Sequence, residues 1–407
     1  MNLSYFISKK IRNAPGSFAS AVHRIAVASI GLGLAAAIVS FLIMKGFQEN
    51  VQNKVFNFSA HLNINRLTPN NSVEEPAFNF NIDLVSNPKD YPFVDHVQEY
   101  AHKAGLVKTE NEVLGVLLKG IGKSFDQNRF RESMIDGKFI VFRDSGYSND
   151  IVVSKTISNK LQVKTGDELI VHFFQDPPRF RRLKISGIYE TNLSDYFDSK
   201  IILCDLGLVQ RLNNWPDSVA GGLQVFLKDP SPEQIQAAFN VLVDDVPFDL
   251  YVEKTSDRYI QVFEWLNLIT RQVNILLIII LAVVCVNMIS VVLILVMERT
   301  SMIGLLKALG SRNNLIRKIF IYQGINLILI GLFAGNLIGL GLCYLQDNLK
   351  LVTLDASNYY MSYVPVSWHW EIILSLNFLV FAVVWLVLLI PVRAVSRISP
   401  IQAIRFD

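Results

Sequence analysis

Four stretches of this chain are long and apolar enough to cross a bilayer as helix, which takes about 20 residues. They run 25–44, 273–297, 319–345 and 372–392, and none contains Asp, Glu, Lys, Arg or His. The first is rich in small residues (Gly31, Gly33, Ala35, Ala36, Ala37), and the third carries Gly324, Gly331, Gly335, Gly339 and Gly341. A buried core helix can imitate one such run, but four in one chain point to a membrane protein. Composition agrees: of 407 residues 51% are hydrophobic and 18% charged, with a mean hydropathy of +0.34. That is too apolar for an ordinary soluble chain and too polar for spans alone. The expected fold class is an α-helical membrane protein with four transmembrane helices. With them a large mixed α/β domain is expected, inserted between spans one and two.

Short flanking segments set the orientation through their basic residues. Residues 1–24 hold Lys9, Lys10, Arg12 and Arg24 and no acid; between spans two and three lie Arg299, Lys307, Arg312, Arg317 and Lys318 against Glu298. The tail 393–407 adds Arg393, Arg397 and Arg405, whereas 346–371 has only Lys350 against Asp347, Asp355 and Glu371. Both termini and the 298–318 segment are therefore expected in the cytoplasm, with 45–270 and the short 346–371 loop on the far side. The first span has no A-x-A-like cleavage site after it and reads as an uncleaved anchor.

Within 45–270, apolar positions Phe47, Val51, Val55 and Phe58 recur at helical spacing, predicting a helical stalk beyond span one. Strand patterns follow at 62–64, 113–118, 151–153, 169–174, 183–189, 201–204 and 223–227, with helical patterns at 155–161, 205–212 and 231–243. A second stalk is expected over 259–270.

Several chemistries are excluded. Lys+Arg 38 against Asp+Glu 35 gives a net charge of +3, so no nucleic acid partner is implied. Cys204, Cys285 and Cys343 are scattered, and the histidines lack metal-ligand spacing, so neither a disulfide framework nor a metal site is expected. No H-E-x-x-H or G-x-S-x-G occurs. Gly120-Ile121-Gly122-Lys123-Ser124 looks like the end of a phosphate-binding P-loop, but Leu117 stands where the motif needs glycine. The chain is read as having no catalytic site, no ATPase site and no cofactor of its own.

Two segments stand out for binding. Gln175, Pro177, Pro178, Arg179 and Phe180 join two strand patterns. They form either a plain hairpin loop or a docking loop for another protein. On the cytoplasmic side, Met302, Ile303, Leu305, Leu306 and Leu309 make an apolar face on a short helix, with Gly310 as its stop. That face suits a lipid surface or the groove of a soluble partner.

The run from Glu298 to Gly310 (ERTSMIGLLKALG) resembles the coupling segment of the MacB/FtsX superfamily of ABC transporter permeases. Tyr322-Gln323-Gly324, the glycine-rich third span, Pro391-Val392-Arg393-Ala394 and the 398–405 segment fit the same pattern. Met44-Lys45-Gly46-Phe47-Gln48-Glu49 and Phe58-Ser59-Ala60-His61 are similar to the lipoprotein-releasing permeases of the Lol system, although Lys45 stands where these usually carry Asn. Val116 to Ile121, Tyr360 and Pro365 also match that branch.

The resemblance covers the whole chain and implies a permease subunit in the inner membrane. It would pair with a second permease chain, identical or paralogous, above two copies of a separate ATPase subunit that binds ATP and Mg. Glu298, Arg299, Met302, Ile303, Leu306, Lys307, Leu309 and Gly310 would couple to that ATPase. Spans one and two would line a cavity for the acyl chains of a lipoprotein taken from membrane lipid. Candidate lining residues are Ile38, Phe41, Leu42, Met44 and Phe47 with Ile275, Ile279 and Val283; taken one at a time, each reads better as an ordinary packing or lipid-facing residue. By position, the 175–180 loop is the counterpart of the hook that recruits the periplasmic lipoprotein carrier. Two rivals share the architecture: a MacB-like mechanotransmission permease for efflux, and an FtsX-like regulator of a cell-wall hydrolase.

Overall fold

The computed structural model describes residues 18–67, 72–109, 112–143, 146–355 and 359–394. The expected basic positions Lys9, Lys10, Arg12, Arg397 and Arg405, and the 398–405 motif, lie outside them. In chain order the main helices are α1 (Phe18–Ser59), α2 (Lys155–Leu161), α3 (Leu206–Asn213), α4 (Pro232–Asp245), α5 (Ile260–Glu298), α6 (Thr300–Ala308), α7 (Asn313–Leu349) and α8 (Trp370–Ala394). The strands are β1 (Leu62–Arg66), β2 (Phe78–Asn79), β3 (Val94–Lys108), β4 (Val113–Ile121), β5 (Met134–Gly137), β6 (Asp150–Ser154), β7 (Glu168–Phe173), β8 (Arg179–Tyr189), β9 (Ile201–Asp205), β10 (Val219–Ala220), β11 (Gly222–Leu227) and β12 (Leu250–Lys254).

The chain divides into two compact units. One takes the described parts of Met1–Glu49, Trp265–Thr353 and Tyr363–Asp407; the other is Asn50–Glu264 with the described part of Leu354–Ser362. In the first, α1, α5, α7 and α8 are each long and apolar enough to span a membrane. Their shared core joins Ile30, Leu34, Ile38 and Leu42 of α1 to Met288 of α5, Leu327 of α7 and Val384 of α8. Glycine is required where backbones meet: a Cβ on Gly335 would lie 2.8 Å from the Gly31 carbonyl oxygen, and one on Gly331 would lie 2.7 Å from Ile30 Cβ. Small residues permit such approach between helices in lipid. Polar side chains inside the spans find each other. The Asn336 and Asn377 amides each donate to the other, at 2.6 and 3.0 Å, and Asn287 Nδ2 donates to Ser29 Oγ at 2.9 Å.

Gly46 and Glu49 tie α1, just past its apolar stretch, to the loop before α8. A Cβ on Gly46 would stand 2.9 Å from Ser367 N and 3.0 Å from the Pro365 carbonyl, so only glycine fits. Glu49 accepts from Ser367 Oγ at 2.5 Å and lies 2.8 Å from His369 Nε2.

The second unit is a mixed sheet in the order β12-β1-β11-β3-β4-β9-β6-β8-β5, with β7 paired to β3 and β8. Pairing is parallel between β4 and β9 and between β6 and β8. Helices α2 and α3 cover one apolar core, containing Ile157, Leu161 and Val209 with Val153, Leu183 and Ile202. Helix α4 covers a second one, through Ile235, Ala238 and Leu242 against Leu62, Ile64, Val225 and Val252. Helix starts follow ordinary capping: Ser154 and Asp205 accept from Ile157 N and Gly207 N, replacing bonds that the first turn lacks.

The 15-residue β3 is the longest strand and gave no alternating signal in the sequence. The reason is a buried polar seam. Gln98 Nε2 donates to Gln224 Oε1, and His102 and Ala104 meet Glu75 and Glu74. Lys119 on β4 is only 2% exposed; its amine donates to the Phe58 carbonyl and to Gln224, and lies 4.6 Å from the Phe58 ring centroid. Burial, with the Arg258 charge adding, pulls its pKa down to about 7.

Candidate transport site

In the helical unit, a cavity of about 560 Å³ opens between α1 and α5, lined by Ile25, Leu32, Gly33, Ile279, Val283 and Asn287 among others. Gly33 shapes it: a Cβ there would press to 2.6 Å from Val284 Cγ2, so glycine sets how closely the two helices cross. On α5, Ile275, Ile279 and Val283 recur every four residues on one exposed face (57%, 54% and 55%), and the last two line the cavity.

The candidates from span one are placed differently. Ile38 and Leu42 are fully buried in the helix core, and Phe41 packs against it half-buried. Met44 and Phe47 are buried, with Phe47 edge-on to Trp265 at 5.2 Å. What α1 turns outward is the stripe Ile25, Ala28, Leu32 and Ala36, spaced three, four and four residues apart. The sequence could not reveal that stripe, because span one is apolar on every face and offers no contrast for periodicity to detect.

Beyond α5, Glu298 is exposed and Arg299 half-buried, and α6 then starts at Thr300. Ile303 and Gly304 are buried, and Leu306 packs half-buried on the helix core. Met302 and Lys307 are intermediate, while Leu305 and Leu309 stand 59% and 76% exposed. Gly310 adopts φ +83°, the left-handed geometry that ends helices without a Cβ penalty. The apolar face read from the sequence is thus divided: Ile303 and Leu306 hold α6 to its own chain, and Leu305 and Leu309 are offered outward.

In the α/β unit, β7 and β8 form a hairpin whose register pairs Phe173 with Arg179. Phe174 and Phe180 are 78% and 65% exposed, and Pro177 and Pro178 are exposed between them. Arg179 and Gln175 instead point back. The Arg179 guanidinium donates to the Arg211 and Leu212 carbonyls at 3.0 and 2.9 Å, and Gln175 Nε2 donates to Leu212 at 3.0 Å. These carbonyls end α3, where a cation also meets the negative end of the helix dipole. Two of the five loop candidates therefore brace the loop, and its prolines and aromatics are presented.

Two family models match the chain. Residues 25–242 match the MacB-like periplasmic core domain, and 274–400 match the FtsX-like permease C-terminal domain. The chain belongs to the MacB/FtsX superfamily of ABC transporter permeases. Within it, the chain is a Lol-type permease. It is 22% identical to the lipoprotein-releasing system transmembrane protein LolE of Haemophilus influenzae, over 99% of both chains. It is 23% identical to LolC of Neisseria meningitidis serogroup B, over 100% of this chain and 98% of that one. Among solved structures, the periplasmic region of MacB from Actinobacillus actinomycetemcomitans aligns with a TM-score of 0.35 and 13% identity, covering 54% of this chain and 97% of that one.

Proposed function

We propose that this chain is the permease subunit of an ABC transporter that extracts lipoproteins from the outer leaflet of the inner membrane and passes them to a periplasmic carrier. The observation that carries this reading is the full-length match to LolE and LolC, joined to an apolar cavity between α1 and α5. Both termini and α6 face the cytoplasm, and the α/β domain inserted between the first two spans faces the periplasm. A separate ATPase subunit, in two copies, binds ATP and Mg and meets α6 through Leu305 and Leu309. A second permease chain completes the assembly, as in the Lol-type systems that the chain resembles.

The physical demand fits those parts. Lipid anchors hold to a bilayer at about 0.8 kcal/mol per buried CH₂, so a multiply acylated protein does not leave unaided. Nucleotide hydrolysis must drive extraction, and the chains need an uncharged shelter meanwhile. The cavity supplies hydrocarbon walls, with the Asn287 amide occupied by Ser29.

The test is depletion of the protein in its native cell, followed by membrane fractionation and blotting of outer-membrane lipoproteins. Retention of lipoproteins in the inner membrane is expected. An unchanged distribution with reduced drug or peptide export would replace this reading with a MacB-like one.

A further inference from the structure

A second crevice borders that cavity, sharing Ala28 and Leu32 with it, and lies on the α7 side of α1. It lies between α1 and α7, holds about 430 Å³, and is walled by Val27, Gly31, Ala334 and Ile338. Its floor is the close helix contact where a Cβ on Gly31 would stand 3.3 Å from the Gly331 carbonyl oxygen and 3.5 Å from Ala334 Cβ. Because glycine and alanine replace larger side chains there, the helices touch at the floor and leave a slot alongside. His23 and Arg24 close the end nearest the start of α1. The slot is therefore hydrocarbon along its length and basic at one end.

We propose that this crevice is a binding site for an anionic phospholipid of the cytoplasmic leaflet, with one acyl chain in the slot and the phosphate beside Arg24 and His23. The inference rests on the orientation given above, in which the start of α1 is cytoplasmic. Charge selects the occupant. A zwitterionic lipid or an apolar helix would fill the slot equally well but would draw nothing from a basic end, whereas basic pockets between membrane helices on the cytoplasmic side suit anionic headgroups. Residues 1–24 contain four Lys or Arg residues and no acid, so the sequence leading into α1 is net positive.

The test uses the full-length protein, purified with whatever subunits accompany it, in phosphatidylcholine nanodiscs. Trace phosphatidylglycerol or trace phosphatidylcholine carries a diazirine on one acyl chain, and labelled peptides are mapped by mass spectrometry. Labelling of 330–338, the wall that the α1–α5 cavity does not share, by phosphatidylglycerol is expected to exceed that by phosphatidylcholine about five-fold, the worth of one basic side chain at an anionic surface. Arg24→Gln should remove the preference, and Ala334→Leu should suppress labelling by both lipids. Equal labelling of the unaltered protein by the two lipids, which needs no variant to fold, overturns the proposal. So does labelling indifferent to Ala334→Leu. Lipoprotein release measured in parallel separates the claims: release without selective labelling removes this site and leaves the transport reading standing.

Discussion

His61 shows how a residue that resembles a functional group can serve the fold. Its Nδ1 accepts from the Leu227 amide at 2.9 Å, and its ring lies 4.6 Å from Phe56. Burial, reinforced by the Arg129 charge and opposed by Asp95, holds its pKa near 4, below the ordinary 6.5. The unfolded chain therefore binds a proton between pH 6.5 and about 4 that the folded chain refuses. Stability is full above that window and lost as pH falls through it, by on the order of 3 kcal/mol. Thermal unfolding of the full chain in detergent from pH 7 to 4 should show this loss. His61→Asn, which keeps an acceptor for Leu227, should flatten that part of the curve; an unchanged curve would assign the loss to other groups. The sequence marked His61 by resemblance and could not show its neutral state, which depends on Leu227 and Arg129, both far away in the chain.

Among elements, α6 and the β7–β8 hairpin were both legible as segments and only partly as surfaces. The spacing around Met302 to Leu309 marked a short amphipathic helix ended by Gly310, but which leucines face a partner depends on what the rest of the chain covers. Leu305→Glu with Leu309→Glu should lower ATPase stimulation at least ten-fold, about 1.4 kcal/mol of lost coupling, without shifting the unfolding temperature. Leu306→Glu should instead destabilise the helical unit, because that side chain packs inward. Equal effects on folding from both sets would contradict the division. In the hairpin, Phe174→Ser with Phe180→Ser should abolish carrier pull-down if the tip is the docking point. Arg179→Ala should act more weakly, by loosening the brace to α3. Undiminished pull-down by the double variant would move the contact elsewhere. Strand β3 was missed because its buried polar residues break the period-two pattern on which strand reading depends.

For the molecule as a whole, the test of the cavity is a contrast between two sets of apolar residues that look alike in sequence. Ile279→Asn should weaken lipoprotein capture several-fold, read by photo-crosslinking in membranes, with expression unchanged. Ile38→Asn should lower folded yield, because Ile38 is sealed in the helix core. The reverse result would exchange cavity and core. The sequence by itself determined four apolar helices, a mixed α/β domain and the superfamily, since bilayer thickness, hydrophobic periodicity and the local motif from Glu298 to Gly310 are each written in consecutive residues. Only the tertiary structure decided which face of α1 is lining and which is core, which leucines of α6 turn outward, and how Lys119 and the seam beside it stay buried. Those outcomes depend on partners distant in the chain, and a stretch apolar on every side carries no local record of what it will touch.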